Sequence, residues 1–458
     1  MSTSRILIGA CASGSGKTTV TCALLMALKQ QALRVHACKC GPDYIDPMFH
    51  ERVLGIPSRN LDPFFADKDL LQELFCRQSK DCDVTVIEGV MGYYDGISFT
   101  EPRASTYDVA KTIKAPVILV VNAKGMALTL VALLKGMLSF RSDHQICGVI
   151  LNRVSKMTYQ RLAPIIEREV GIRALGYLPE CPEVEIGSRH LGLLTPQELR
   201  DVQERLEKLG TLARESLEIE EILTLADQAT PLHAPQDVGH APKGAPVRLA
   251  IARDEAFCFY YEDNLDLLRQ LGCELIPFEP LRDPALPGQI DGLLLGGGYP
   301  ECYGAQLEGN APLRQEIRKA LLSGLPCLAE CGGFMYLHEQ MEDTQGVMRD
   351  MVGLLSANAC TRKDHLVRFG YITLSATGDN PLLLPGEEIR AHEFHYWDST
   401  DNGNLMRADK PSGTRSWPCM HSVSQTICGY PHLYFLSNPA FAERFVALCR
   451  AYREQENS

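Results

Sequence analysis

The sequence predicts an α/β fold class: two doubly wound, mostly parallel-sheet domains in one chain. Three observations predict it. Short apolar runs alternate with helical patterns over most of the chain. A glycine-rich loop, ACASGSGKTT (10–19), follows the first such run. A cysteine stands between a strand-like run and two glycines in LAECGGF (328–334).

The first 195 residues carry one series. RILIG (5–9) reads as a strand and Lys17 to Gln30 as a helix. VTVIE (84–88), PVILVV (116–121) and ICGVIL (146–151) are near-continuous apolar runs, the pattern of strands buried on both faces of a parallel sheet. Helical stretches such as Gly125 to Phe140 lie between them. From 196 to 245 the character changes. A charged, helical stretch from Gln197 to Glu220 leads into TPLHAPQDVGHAPKGAP, rich in Pro, Gly and Ala. This span is expected to be a linker. The second series occupies 246–458. VRLAIA (247–252), ELIPF (274–278), DGLLLGGG (291–298) and PCLAE (326–330) read as strands, with helices at Asn264 to Leu271 and Pro312 to Leu322.

A length of 458 residues agrees with more than one core. The net charge of −12 argues against a broad nucleic-acid or anionic-membrane surface. No run approaches the roughly twenty apolar residues of a membrane helix. Seventeen cysteines without a secretory signal fit a reduced, cytoplasmic protein. Their spacings match no four-ligand zinc pattern. Oligomeric state is not legible, and a homo-oligomer stays open.

The glycine-rich loop has the context a phosphate cradle needs, a strand before it and a helix after it. Gly14, Ser15 and Gly16 let backbone N–H groups turn toward phosphate oxygens at a helix N-terminus. Lys17 reaches the terminal phosphates, the Thr18 hydroxyl is placed to ligate Mg²⁺, and Thr19 continues the loop. ATP and Mg²⁺ are therefore the expected cofactors. Glu88 closes VTVIE at the ligand edge of the sheet, positioned to hold Mg²⁺ opposite Thr18. Lys39, Asp43 and Asp46 lie in KCGPDYIDP after the second strand, where the two acids suit metal or substrate positioning. Asp95 lies in the turn after Glu88. Asn152 ends ICGVIL, where an amide can read an adenine edge.

Cys331 sits on a strand–turn–helix elbow, and the following helix N-terminus is expected to lower its thiol pKa. Gly297 and Gly298 end another strand. Together with Gly332 their N–H groups can form an oxyanion hole. Of six histidines after Cys331, His432 in GYPHLYF is the expected base. The acid that should orient it is missing two residues on, where Tyr434 stands. The cluster His392, Glu393, Phe394 and His395 lacks zinc-motif spacing and reads as structural or substrate-facing.

Together these motifs carry a resemblance. LGGGYPE (295–301) with LAECGG resembles the class I glutamine amidotransferases, and the N-terminal half resembles the dethiobiotin synthetase branch of P-loop proteins. KCGPDYIDP, SRNLDPF, EGVMGYYDG, LGGGYPE and HEFHY together resemble the cobyrinic acid a,c-diamide synthase family, over nearly the whole chain. The resemblance implies amidation of two carboxylates of cobyrinic acid with ATP and glutamine. Cys331 would release ammonia from glutamine, and ATP would activate a carboxylate as an acyl phosphate. Thr18, Asp46 and Glu88 would hold Mg²⁺, while Asp43 and Asp95 would orient substrate or phosphate transfer. Cobyric acid synthases and nickel-sirohydrochlorin amidases share much of the pattern. A regulatory P-loop ATPase with an inactive amidotransferase module is the reading from a different class. Intact Cys331 and His432 argue against it.

Overall fold

A computed structural model describes residues 3–181, 196–232, 246–413 and 415–456. The chain divides into two units, Met1–Asp237 and Val238–Ser458.

In the first unit, strands β1 (Arg5–Ala10), β2 (Val35–Cys40), β3 (Ser58–Leu61), β4 (Val84–Glu88), β5 (Val117–Asn122), β6 (Ile146–Asn152) and β7 (Arg173–Leu178) form one sheet. Its order is β3-β2-β4-β1-β5-β6-β7, and every pairing is parallel. Helices α1 (Lys17–Gln30), α2 (Ile45–Arg52), α3 (Lys68–Gln78), α4 (Thr106–Thr112), α5 (Leu128–Ser139) and α6 (Lys156–Val170) make the crossovers. All six residues of β1 are buried, as a central strand covered on both faces requires. Helix α1 is buried nearly all round, so it needs a second cover besides the sheet.

That cover corrects the linker expectation. Residues 196–227 form helices α7 (Pro196–Ser216) and α8 (Ile219–Asp227). Leu206, Leu209, Ala213, Ile219 and Ile222 belong to the same core as Ile6, Ile8 and Leu24. A Cβ on Gly210 would stand 2.8 Å from Met26 Cβ, so α7 lies close against α1. Buried Arg5 donates to Ile113 O at 2.7 Å and also to Thr230 O, tying the end of this segment to the sheet. The rest of the expected linker, 233–245, lies outside the described residues.

In the second unit, strands β8 (Val247–Ala252), β9 (Phe257–Phe259), β10 (Cys273–Phe278), β11 (Gly292–Leu295), β12 (Gly297–Gly298) and β13 (Cys327–Glu330) come first. The main sheet runs β10-β8-β11-β13 in parallel, then adds Thr426–Gly429 in parallel and His421–Val423 antiparallel. Helices α9 (Glu262–Gln270), α10 (Gly304–Gly309), α11 (Ala311–Leu322) and α12 (Gly332–Leu337) accompany it, and α13 (Pro439–Glu456) follows near the chain end. Residues 338–433 also build a four-stranded mixed sheet and a five-stranded antiparallel sheet. The five-stranded sheet pairs Arg368–Ala376 with Glu388–His395, and the latter with His432–Leu433. Alternate residues of the main sheet serve two cores. Leu249, Ile251 and Leu328 pack with Ile372, Leu374 and Ile389 of the five-stranded sheet. Leu293, Cys327 and Ala329 pack with Leu313 and Ile317 of α11.

No helix among the described residues is long and apolar enough to cross a membrane. All seventeen cysteines are free thiols.

Candidate active sites

The loop between β1 and α1 turns on two glycines in the left-handed region, Gly14 at φ 75° and Gly16 at φ 95°. Gly16 also makes room for a neighbour: a Cβ there would stand 2.0 Å from Asn152 Nδ2, so any side chain would displace that amide. Ser15 Oγ donates back to Ala12 O at 2.8 Å, closing the loop on itself. Lys17 is buried and its Nζ donates to Met91 O in the turn after β4. Burial and the nearby Lys39 ammonium push the Lys17 pKa down to about 8.

Thr18, Lys39, Asp46 and Glu88 come together. Thr18 Oγ1 donates to Glu88 Oε1 at 2.6 Å. Lys39 Nζ stands between Asp46 Oδ2 at 2.6 Å and Glu88 Oε1 at 3.0 Å. His50 Nε2 lies 3.4 Å from Glu88 Oε2, an ion-pair distance without hydrogen-bond geometry. Burial alone would raise the Glu88 pKa. The Lys39 ammonium, His50 and the Thr18 hydroxyl outweigh it and hold the carboxyl below the usual range.

Asp46 lies in the first turn of α2, not in an open loop as expected. Asp43 accepts from Ile45 N at 2.8 Å and shapes the entry to that helix. Exposed Asp95 accepts from Gly92 N at 3.0 Å. Neither acid touches Glu88 in the described contacts.

Asn152 braces the glycine-rich loop. Its Nδ2 donates to Ser15 O at 3.0 Å, and its Oδ1 accepts from Arg153 N at 3.0 Å. These two bonds hold the loop against β6 and leave one Nδ2 hydrogen and one Oδ1 lone pair of the amide unused by them. It also lines a cavity of about 390 Å³ with Thr19, Arg153, Pro179, Leu209 and Leu212. Two of those wall residues belong to α7, so the supposed linker builds the space beside the loop.

In the second unit, Cys331 joins β13 to α12 with φ 47° and ψ −103°, a strained turn for a residue with a Cβ. Its N–H donates to Gly429 O at 2.8 Å. Gly332 follows so closely that a Cβ on it would meet Gly298 N at 3.0 Å. Gly333 N donates to Gly296 O at 2.9 Å. The elbow is thus packed against the glycine strand named from sequence. The other end of that strand faces the histidine: a Cβ on Gly297 would stand 2.4 Å from His432 Cε1.

The expected lowering of the thiol pKa is overturned. Burial, with Glu301 next, pushes the Cys331 thiol well up. The Gly332 backbone hydrogen bond lowers it but does not offset the lost hydration. His432 is also held neutral. Burial, then His392 and His395, push its pKa down to about 3. His392 is the cross-strand partner of His432, and His395 stacks on Tyr430 at 3.8 Å between centroids. Within HEFH, Glu393 and His395 are buried, Phe394 is half exposed, and His392 sits across the strand from His432. Among the described residues no group of three or more His, Cys, Asp or Glu is placed to hold a metal ion.

One neighbour was missed from sequence. Glu330 Oε2 lies 3.9 Å from His432 Nδ1, and its Oε1 accepts from Leu433 N at 3.3 Å. Burial pushes the Glu330 pKa up to about 8. Tyr434, where a triad acid was sought, donates instead to Asp263 Oδ2 at 3.1 Å. The signal for Glu330 was its place directly before the cysteine, but only the fold brings that position to the histidine.

Two family descriptions match the chain. Residues 6–194 match the CobQ/CobB/MinD/ParA nucleotide binding domain, and residues 248–440 match the CobB/CobQ-like glutamine amidotransferase domain. Three curated relatives bear the name cobyrinate a,c-diamide synthase. The Priestia megaterium protein is 36% identical over 99% of each chain. The Caldanaerobacter subterraneus subsp. tengcongensis protein is 37% identical over 96% of this chain and 97% of its own. The Salmonella typhimurium protein is 38% identical over 96% of each. With a nucleotide-binding unit, an amidotransferase unit and relatives matched from end to end, the chain belongs to the cobyrinate a,c-diamide synthase family of glutamine-hydrolysing ligases.

Proposed function

We propose that this chain amidates the a and c carboxylates of cobyrinic acid, drawing ammonia from glutamine and activating each carboxylate with ATP. The observation that carries the reading is one chain holding both a Lys17–Thr18–Glu88 phosphate site and a Cys331 elbow packed on a glycine strand. The corrinoid itself rests on the relatives' names.

A carboxylate is a poor electrophile, so it must be activated before nitrogen can replace oxygen. Lys17 and Lys39 place two buried ammonium groups beside the phosphate loop, where they stabilise the charge moving onto phosphate. The Thr18 hydroxyl and the Glu88 carboxylate are within 2.6 Å, an all-oxygen pair that suits Mg²⁺ bound alongside phosphate. Asp46, joined to Glu88 through the shared Lys39 ammonium, would be the third oxygen donor. Thr18, Glu88 and Asp46 would hold Mg²⁺, which would supply neutralisation of the phosphate charge. Asp43 and Asp95 position substrate at the rim. Asn152 keeps the loop in its phosphate-binding shape, and the cavity it lines takes the nucleoside.

In the second unit, Cys331 gives its proton to His432 and attacks the amide carbon of glutamine. The N–H groups of Gly297, Gly298 and Gly332 receive the oxyanion. The proton passes to the departing nitrogen, which leaves as ammonia, and water then releases glutamate from the thioester.

Cys331→Ser is the direct test. It should abolish glutamine-dependent amidation and leave amidation by added ammonia. Loss of both in a folded variant would refute two separable sites. Mass spectrometry of products from cobyrinic acid, ATP, Mg²⁺ and glutamine should show two successive replacements of OH by NH₂. Amidation of a different tetrapyrrole in place of cobyrinic acid would overturn the substrate.

A further inference from the structure

We infer that Glu330, the residue directly before the nucleophile, is the positioning acid of His432. The inference rests on the assignment of Cys331 and His432 as thiol and base.

The geometry makes the case. His432 and Leu433 form a two-residue strand, and Glu330 engages both residues: Oε1 receives the Leu433 N–H at 3.3 Å and Oε2 faces His432 Nδ1 at 3.9 Å. The carboxyl group is thus clamped to the same backbone that carries the imidazole. The remaining gap exceeds a hydrogen bond by less than 1 Å, and catalytic hydrogen bonds tighten when substrate binds. Gly297 packs against the Cε1 edge of the ring, so the imidazole has no room to move toward that strand. With Nδ1 directed at Glu330, Nε2 is the ring nitrogen that the proposed mechanism assigns to the thiol.

The surroundings match the task. Glu330 is 7% exposed; it bears on the buried Tyr260 hydroxyl as well as on His432, it is next in sequence to the Cys331 thiol, and His392 and His395 act on His432 in turn. Proton accounting is simple. The Cys331 S–H bond breaks and an N–H bond forms at Nε2. The imidazolium then keeps its Nδ1 proton in a hydrogen bond to the Glu330 carboxylate. When Nε2 passes its proton to the leaving nitrogen, the pair returns to its starting state. A neutral Glu330 would instead donate to Nδ1 and leave the proton on Nε2, the wrong tautomer for a base. Because burial raises Glu330 to about 8, glutaminase turnover should climb with pH through that region.

Glu330→Gln separates this role from a structural one, since the glutamine oxygen can still accept from Leu433 N. The variant should lose ~10–100-fold in glutaminase kcat with little change in KM for glutamine, and lose the rising limb near pH 8. Ammonia-dependent amidation, which bypasses this chemistry, should persist. Glu330→Asp should retain the rising limb at a reduced kcat. A Gln variant with wild-type kcat and pH profile overturns the inference, and so does an Asp variant that loses the rising limb, whether or not the Gln variant folds. Cys331→Ser and His432→Ala, assayed in parallel, keep the two readings distinguishable. If both retain glutaminase activity, the site assignment itself falls. If both lose it while Glu330→Gln does not, only the role of Glu330 falls.

Discussion

Gly297→Ala should disable the glutaminase by displacing one imidazole. A Cβ at this position would stand 2.4 Å from His432 Cε1 and 3.2 Å from Nδ1, whereas ordinary contact begins at 3.4 Å. The ring, or the strand that carries it, must move by about 1 Å. Leu433 N is tied to Glu330 and Ala391 pairs with Leu433, so the backbone resists and the ring takes most of the shift. A 1 Å misplacement of a catalytic group costs ~100-fold in rate. The overpacking itself costs ~1–3 kcal/mol of stability. The assay is steady-state glutamate release from glutamine, with amidation by added ammonia as the internal standard and thermal unfolding to register the strain. Gly309→Ala is the control, because a Cβ there meets nothing within 4 Å. Gly297→Ala should lose about two orders of magnitude in glutaminase kcat while Gly309→Ala stays silent. A Gly297→Ala enzyme within about twofold of wild type would refute the placement of His432 against this strand.

Two further predictions concern the first unit. Lys17→Ala should eliminate amidation from glutamine and from ammonia alike, because phosphate positioning precedes either nitrogen source; retained ammonia-dependent turnover would sink the acyl-phosphate step. Asn152→Ala removes the donor to Ser15 O, and leaving a buried carbonyl unpaired costs ~1–3 kcal/mol, so KM for ATP should rise ~5–100-fold with glutaminase activity unchanged. An unaltered KM for ATP would show that the loop holds its shape without that brace.

Much of the first unit was legible from local pattern. The residues Lys17 to Gln30 were read as a helix and are one, and VTVIE was read as a strand and is one. Such elements are visible because a parallel strand buried on both faces must be apolar throughout. The second unit was legible only in part. The strand Arg368–Ala376 buries Ile372 and Leu374 on one face and leaves the other half-exposed, and its sequence RFGYITLSA alternates too weakly to announce a strand. Helix α7 was read as part of a linker because its charged residues hide a narrow apolar stripe, Leu206, Leu209 and Ala213, that makes sense only against α1.

By itself the sequence determined the two chemistries and where each begins, because a phosphate loop and a nucleophile elbow are set by a few consecutive residues whose backbone conformations are local. Gly14, Gly16, Lys17 and Cys331 could be named with no knowledge of the rest of the chain. Tertiary structure alone decided the partners: Asn152 on the loop, α7 along the cavity, burial raising rather than lowering the thiol pKa, and Glu330 beside His432. Those facts depend on which strands lie side by side and on how much water is excluded between them. Glu330 and His432 are about a hundred residues apart in the chain, and only the folded sheets bring them within ion-pair distance.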